Sequence, residues 1–243
     1  MYATGRIFSV ESMGLVDGPG VRTVVFFQGC ALRCAFCHNP ESWSLSGGEE
    51  VAADDLAKRV LKFRPYFKRS GGGVTASGGE PLLQPEFLTE LFSLLKAEGV
   101  HTCLDTAGAG KGDYEKILSV TDLVLFDVKD TDPARYKELC GGNVARAEDF
   151  LAAVKKANVP VVVRQVVIPG RNDSDDYMRE LRAYIAKKIP TAYKVELLPY
   201  HLLGAHKYAK LGLAEPLPGV PAMDPERTKE LEERFFSDLK PEK

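Results

Sequence analysis

Val21-Arg22-Thr23-Val24-Val25-Phe26-Phe27-Gln28 runs straight into Gly29-Cys30-Ala31-Leu32-Arg33-Cys34-Ala35-Phe36-Cys37-His38-Asn39. The first half is β-branched and aromatic and predicts a strand. The second half is a loop with cysteines at spacings of four and three residues. Three thiolates that close can wrap one soft centre, and thiolates select iron–sulfur clusters, zinc or cuprous copper. They leave a tetrahedral or cuboidal centre one ligand short, and an open position separates a catalytic site from a closed structural one. A zinc site with His38 or a remote fourth ligand is the plainer alternative. Structural zinc sites pair two ligand couples across a longer span, and no second Cys-x-x-Cys or His-x-x-x-His couple occurs. Cys103 and Cys140 stand apart and are expected to be reduced thiols without a role. A [4Fe–4S] cube held at three corners fits the ligand count better.

Outward from the loop, β-rich runs alternate with helical ones. Strands are expected at Gly73–Ser77, His101–Thr106, Leu123–Val128, Val159–Ile168 and Lys194–Pro199. Helices are expected at Val51–Phe63, with Pro65 just past its end, and at Pro85–Glu98, Tyr114–Ser119, Pro133–Leu139, Ala147–Asn158 and Asp175–Lys188. In Pro85–Glu98 the residues Phe87, Leu88, Leu91, Leu94 and Leu95 form an apolar face, with proline suited to the first turn and Gly99 as a stop. Strands separated by crossover-length connections predict βαβ units and a parallel sheet. Six units suit an incomplete (β/α)6 TIM-like barrel or an open doubly wound sheet. The barrel is favoured because the unusual residues fall just after strands: Cys30–Cys37, Gly78–Glu80, Asp105-Thr106, Asp127–Lys129 and Tyr200-His201. Parallel barrels build their sites at the C-terminal strand ends.

Residues 1–20 precede the first strand and carry the turn Asp17-Gly18-Pro19-Gly20. The stretch 211–223, with Pro216, Pro218 and Pro221, reads as irregular. Asp224-Pro225 then opens a last helix to about Leu239. One domain over 1–243 is expected, with a core of about 15–210 and an extension 211–243.

The 243 residues are 44% apolar and 27% charged, with a net charge of −2. Near-balance of charge gives no reason to expect nucleic acid or an anionic membrane as partner. No basic start leads into an apolar leader, and no apolar run is long enough to span a bilayer. Five cysteines with three clustered argue against a secreted disulfide framework and for a reducing compartment, by default the cytoplasm.

The Cys-x3-Cys-x2-Cys spacing, with Phe36 before the third cysteine and His38-Asn39 after it, resembles the radical S-adenosylmethionine superfamily. The resemblance implies a [4Fe–4S] cluster whose open iron is chelated by the amino and carboxylate groups of S-adenosylmethionine. Five further segments extend it: Asp17–Arg22, Gly71–Pro81, His101–Thr106, Asp127–Lys129 and Leu197–His201. In order and spacing, from about Gly5 to about Lys210, this series resembles the glycyl-radical-enzyme activases.

That resemblance implies roles residue by residue. Phe36, Cys37, His38 and Asn39 border the cofactor. Ser77, Gly78, Gly79 and Glu80 hold the amino group of the methionyl part; the plainer alternative is a tight turn before a helix. No Gly-Lys-Ser/Thr follows, which argues against a nucleotide-phosphate loop. Asp127, Val128 and Lys129 meet the amino and carboxylate groups, and His201 lies near the adenosine. Asp105, Thr106 and Asp127, with a carbonyl near Leu125, hold a monovalent cation, for which oxygen ligands are suited. Arg164, an arginine mid-strand, needs an anionic partner, expected to come from S-adenosylmethionine or the partner protein. Asp17 touches the substrate peptide. His206, Asp173, Asp175 and Asp176 read as solvated surface. The implied partner is a glycyl radical enzyme, pyruvate formate-lyase first, with reduced flavodoxin or a similar donor of electrons. Relatives with a ferredoxin-like insert differ from this chain, where Asn39 to Val51 is short and free of cysteine. The rivals are an activase of a different glycyl radical enzyme and a zinc-binding interaction protein without turnover.

Overall fold

A computed structural model describes residues 2–110 and 112–239, so residues 1, 111 and 240–243 of the expected domain lie outside the described residues. The strands are β1 (Thr4–Gly14), β2 (Arg22–Phe27), β3 (Glu49–Ala52), β4 (Gly73–Gly78), β5 (His101–Thr106), β6 (Leu123–Asp127), β7 (Val161–Val167) and β8 (Ala192–Pro199). The helices are α1 (Ala53–Leu61), α2 (Arg64–Ser70), α3 (Pro85–Ala97), α4 (Tyr114–Ser119), α5 (Pro133–Cys140), α6 (Val144–Ala157), α7 (Asp175–Lys188), α8 (Ala205–Lys210) and α9 (Pro225–Phe236). The sheet order is β3-β1-β2-β4-β5-β6-β7-β8. β2 and β4 to β8 pair in parallel, as the six expected strands do, while β1 pairs antiparallel with both β2 and β3. The sheet does not close: β3 and β8 are its two ends.

Four segments depart from the sequence expectation, one of them α8, where no helix was expected. Residues 4–14 form β1. Its alternation is blurred, because the register with β2 shifts twice and Met13 adopts a positive φ of 69°. Val51 and Ala52 belong to β3 and not to a helix start, since Glu49–Ala52 pairs with Thr4–Ile7. Pro65 does not close the helix before it but sits in the first turn of α2, where its missing N–H costs nothing.

The strands carry apolar residues on both faces, as parallel strands between two layers do. Val25, Phe27, Val74, Ala76, Leu104, Val124, Phe126, Val161 and Val163 face the helices and share one core with Phe87, Leu88, Leu91 and Leu95 of α3. On the concave face, Cys103, Leu123, Leu125 and Val162 form a smaller cluster. Arg22, fully buried, bonds Thr75 Oγ1 at 2.6 Å and the Val74 carbonyl at 2.8 Å. One step toward the C-terminal strand ends, the same face turns polar with Ser77, Asp105, Asp127 and Arg164.

α9 covers the free edge of β8, where Leu197 N–H donates to Glu232 Oε2 at 2.9 Å. Leu231 and Phe236 are buried beneath it. Asp175 is not merely solvated: it pairs with Arg227 at 3.7 Å and with Arg234, and so ties α9 to α7. Residues 211–223 run without helix or strand, as expected, anchored by Met223 N–H to the Tyr200 carbonyl at 2.8 Å.

Candidate active site

The cysteine loop leaves β2 and is fastened on three sides. Gly29 N–H donates to the Ser42 carbonyl at 2.7 Å and Cys30 N–H to that of Trp43 at 3.3 Å. Arg33 N–H donates to the Cys140 carbonyl at 2.8 Å and Ala35 N–H to that of Leu139 at 2.9 Å, which strings the segment around Cys34 along the end of α5. From α8, Tyr208 Oη donates to the Cys37 carbonyl and Lys207 Nζ to Asn39 Oδ1, both at 2.9 Å. The Arg33 guanidinium bonds the carbonyls of Cys30 at 2.8 Å and Leu32 at 2.7 Å and lies 4.9 Å from the centre of the Trp43 ring. Cys34 is buried, and Cys30 and Cys37 are partly so. Burial pushes the Cys30 thiol up to about 12, so loading a metal centre there displaces protons. The neighbouring Cys140 side chain, ahead of burial, holds the Cys34 thiol well above its ordinary range.

The Ser77-Gly78-Gly79-Glu80 turn sits directly beside this loop. Gly79 N–H donates to the Phe27 carbonyl at 2.9 Å and Glu80 N–H to the Gly29 carbonyl at 2.8 Å. Gly78 has φ +104°, and a Cβ on Gly79 would fall 2.2 Å from the Gly29 oxygen. Both glycines are therefore required by the approach of β4 to the start of the cysteine loop. The Glu80 carboxylate accepts from Thr106 Oγ1 at 2.6 Å and from the N–H groups of Leu82, Ala107 and Ala109, each at 3.2 Å. Burial pushes its acid up, and these four donors work against that shift.

Across the concave face stand the charged strand ends. Lys129 Nζ is 2.8 Å from Asp127 Oδ2 and 5.1 Å from the centre of the Phe36 ring. Burial opposes the Lys129 charge, but Asp127 and the neighbouring thiols outweigh it and raise its pKa. Ser77 Oγ donates to Asp105 Oδ2 at 2.6 Å, while Asp105 Oδ1 is buried without a partner. Burial pushes Asp105 up to about 6, against the pull of Arg164. Arg164 finds its anions within the chain, which corrects the expectation of an external one: Glu196 at 3.0 Å, Asp105 at 3.8 Å and Asp17 at 3.9 Å, with a further bond to the Val16 carbonyl. The His38 and His201 rings stack with centres 3.9 Å apart, and His38 Nε2 is buried without a partner.

These groups surround one cavity of about 400 Å3. Every residue expected in the site lines it except Val128, buried in the outer core, and Asp17, which stands beside Arg164. Leu32, Ser42, Trp43, Val166 and Leu198 also line it. Val166 and Leu198 had a signal in strand alternation, since Val166 is two residues from Arg164 on the same face. Trp43 had none. Among the described residues, no three His, Cys, Asp or Glu side chains are grouped to hold a single ion. The cysteine sulfurs instead share a cavity wall, as ligands to separate corners of a larger centre do. The volume suits an organic ligand beside such a centre. The unpartnered Asp105 and His38 atoms are the kind of buried polar group a ligand satisfies.

Residues 24–181 match the Radical SAM superfamily. Over 235 residues the chain is 56% identical to a pyruvate formate-lyase-activating enzyme of Clostridium pasteurianum, covering 97% of this chain and 98% of that one. The chain belongs to the radical SAM superfamily and, within it, to the pyruvate formate-lyase-activating enzymes. A second relative of that description, from Listeria monocytogenes, is 41% identical over 229 residues, 91% of this chain and 92% of the other. The fold agrees with the crystal structure of a domain of a pyruvate-formate lyase-activating enzyme from Bacteroides vulgatus. Its TM-score is 0.54 at 24% identity, over 70% of this chain and 95% of that one. As a radical SAM site, the cavity puts soft thiol donors on one wall and oxygen and ammonium groups on the other, a donor set that fits a cluster and an amino-acid ligand together.

Proposed function

We propose that this chain activates a glycyl radical enzyme, pyruvate formate-lyase, by placing a radical on one of its glycines. When bound, a [4Fe–4S] cluster and S-adenosylmethionine supply reductive cleavage of the sulfonium and a 5′-deoxyadenosyl radical that takes a hydrogen atom from the glycine Cα. The observation that carries this is the convergence of Cys30, Cys34 and Cys37 with Asp127, Lys129 and the Ser77–Gly79 turn on one cavity, in a chain 56% identical to a named activase.

In this reading Cys30, Cys34 and Cys37, deprotonated to thiolates, would hold the cluster. Lys129 is matched to the methionyl carboxylate, and Asp127, together with the backbone of the Ser77–Gly79 turn, to its amino group. His38 and His201 flank the adenosine. Asp105 and Thr106, with Asp127, offer oxygen to a monovalent cation, and the bare Asp105 Oδ1 supports that role. Arg164 positions rather than binds: its bond to the Val16 carbonyl holds the 15–20 loop across the concave face. Asp17, carried on that loop, would meet the substrate peptide. The open sheet suits a substrate that is a protein loop, because an unclosed barrel admits a peptide at its side. No helix among the described residues is long and apolar enough to cross a membrane. Reduced flavodoxin or a similar low-potential protein in the cytoplasm would supply the electron.

The test is anaerobic reconstitution with iron and sulfide, followed by reduction with S-adenosylmethionine and pyruvate formate-lyase. A glycyl radical seen by electron paramagnetic resonance is the expected result. A colourless protein that retains one zinc ion overturns the enzyme reading, and a radical formed only on another glycyl radical enzyme overturns the choice of partner.

A further inference from the structure

The loop between β1 and β2 is held by its backbone rather than by its side chains. Leu15 and Val16 are 71% and 76% exposed, so little apolar burial keeps residues 15–20 in place. Three of the loop's carbonyls accept instead from buried side chains on three different strands. Arg164 of β7 donates to Val16, Thr75 Oγ1 of β4 donates to Asp17 at 2.7 Å, and Arg22 Nη1 of β2 donates to Pro19 at 3.1 Å. Surface loops ordinarily leave such groups to water.

Thr75 is the middle of a directed relay. It is fully buried, and its Oγ1 also accepts from Arg22 Nε at 2.6 Å. A guanidinium only donates, so the single hydrogen of the Thr75 hydroxyl goes to the Asp17 carbonyl. Arg22 is fixed in turn by the Val74 carbonyl at 2.8 Å. Thr75 itself does not line the cavity, whereas Arg164, beside which Asp17 stands, does. Buried polar groups that hold a loop with exposed apolar side chains fix its position and add little to the core.

We propose that Thr75 is a positioning residue for the protein substrate: its hydroxyl, aimed by Arg22, holds the 15–20 loop so that Asp17 is presented to the peptide beside the cavity. The hold acts on the loop backbone and on no group that faces the cofactor. It therefore governs capture of the peptide and not cleavage of S-adenosylmethionine. The inference rests on the reading above in which Asp17 meets the substrate peptide.

The experiment compares parent, Thr75→Val and Thr75→Ser proteins after anaerobic reconstitution. Valine keeps the shape and removes the hydroxyl, and serine keeps the hydroxyl. Glycyl radical formation is followed against the concentration of pyruvate formate-lyase, and 5′-deoxyadenosine formation is followed without it. The valine variant should show a KM for pyruvate formate-lyase about tenfold higher, the weight of one buried hydrogen bond. Its kcat and its partner-free cleavage should not change, and the serine variant should stay near the parent. A protease selective for apolar residues should cut at Leu15 or Val16 about tenfold faster in the valine variant than in the other two, because cleavage follows the population of the opened loop. Equal KM in parent and valine variant overturns the inference. Equal losses in both variants also overturn it, as a packing effect, and so does a fall in partner-free cleavage, which would place Thr75 at the cofactor. If the valine variant does not fold, Thr75→Cys, with its weak S–H donor, takes its place and should raise KM and proteolysis in the same direction. An Asp17→Asn protein with the parent's KM would overturn the reading of Asp17, and with it the substrate role of Thr75. A parent that forms 5′-deoxyadenosine but no radical on pyruvate formate-lyase would overturn the choice of partner; the proteolysis, which needs no partner, then decides whether Thr75 holds the loop.

Discussion

Asp105 shows how a single site residue trades stability for readiness. Its Oδ2 accepts from Ser77, its Oδ1 is bare, and burial sets its acid at about 6 against an ordinary 3.8. A raised folded pKa means the folded chain holds the proton more tightly than the unfolded chain. That contribution to stability is complete below pH 3.8 and is lost as pH rises through 6. Asp105→Asn removes the ionisation, so its stability relative to the parent should rise across that window and level off above it. Urea unfolding of the cluster-free proteins should show the variant's advantage growing by about 1 kcal/mol between pH 5 and pH 8. An advantage that is constant or shrinks with pH would refute the burial argument. Cys34→Ala tests a different residue role. It leaves two thiols for a centre that needs three, and 5′-deoxyadenosine formation, read by chromatography, should fall to background. Full activity in that variant would remove Cys34 from the ligand set. The three cysteines were legible because their spacing is itself the chemistry. The anions around Arg164 and the place of Cys140 were not, because both depend on strands and helices far apart in sequence: Glu196 is on β8, and α5 returns to the loop more than a hundred residues after it.

At the scale of elements, the turn after β4 is the joint between the cysteine loop and the strand-end carboxylates. Its glycines were visible in the sequence, but the reason for them was not: they let β4 meet Gly29, and the reason lies in the register Phe27↔Gly78. Glu80 completes the joint by gathering three N–H groups and the Thr106 hydroxyl. Glu80→Ala would leave these donors buried and unpaired, at a cost of about 3 kcal/mol or more, while Glu80→Gln keeps the shape and one acceptor and should cost about 1 to 2 kcal/mol. Urea midpoints would measure both, and a loss below about 1 kcal/mol for the alanine variant would mean the joint is held by something else. β5, α4 and α7 match the sequence expectation to their end residues, and in the structure Asp113 and Ser174 cap the two helices. β1 was missed because a strand beside the parallel set, half exposed and twice shifted in register, lacks both clean alternation and an unbroken apolar run.

For the molecule as a whole, an open parallel sheet gives the site a side entrance and leaves an edge to be protected. Unpaired edge N–H and C=O groups invite pairing with another chain. β8 is one of its two edges, and α9 is the cover there: Glu232 takes the Leu197 N–H, Leu231 is fully buried, and Arg182 with Asp238 at 2.7 Å fastens the end of the segment to α7. The exposed ion pair is worth little by itself; burial of Leu231 contributes more. Leu231→Ala should therefore cost about 3 kcal/mol, from the apolar surface returned to water and the cavity left behind. Because the lost contacts are those of the cover, the damage should also appear as self-association. Urea unfolding should show the reduced midpoint, and light scattering should show aggregation of the variant at concentrations where the parent is monodisperse. Glu232→Ala separates the two effects, since it frees one edge N–H with little loss of packing and should raise association more than it lowers stability. A Leu231→Ala protein that loses less than about 1 kcal/mol and stays monodisperse would show that α9 is not what guards the open side of the sheet.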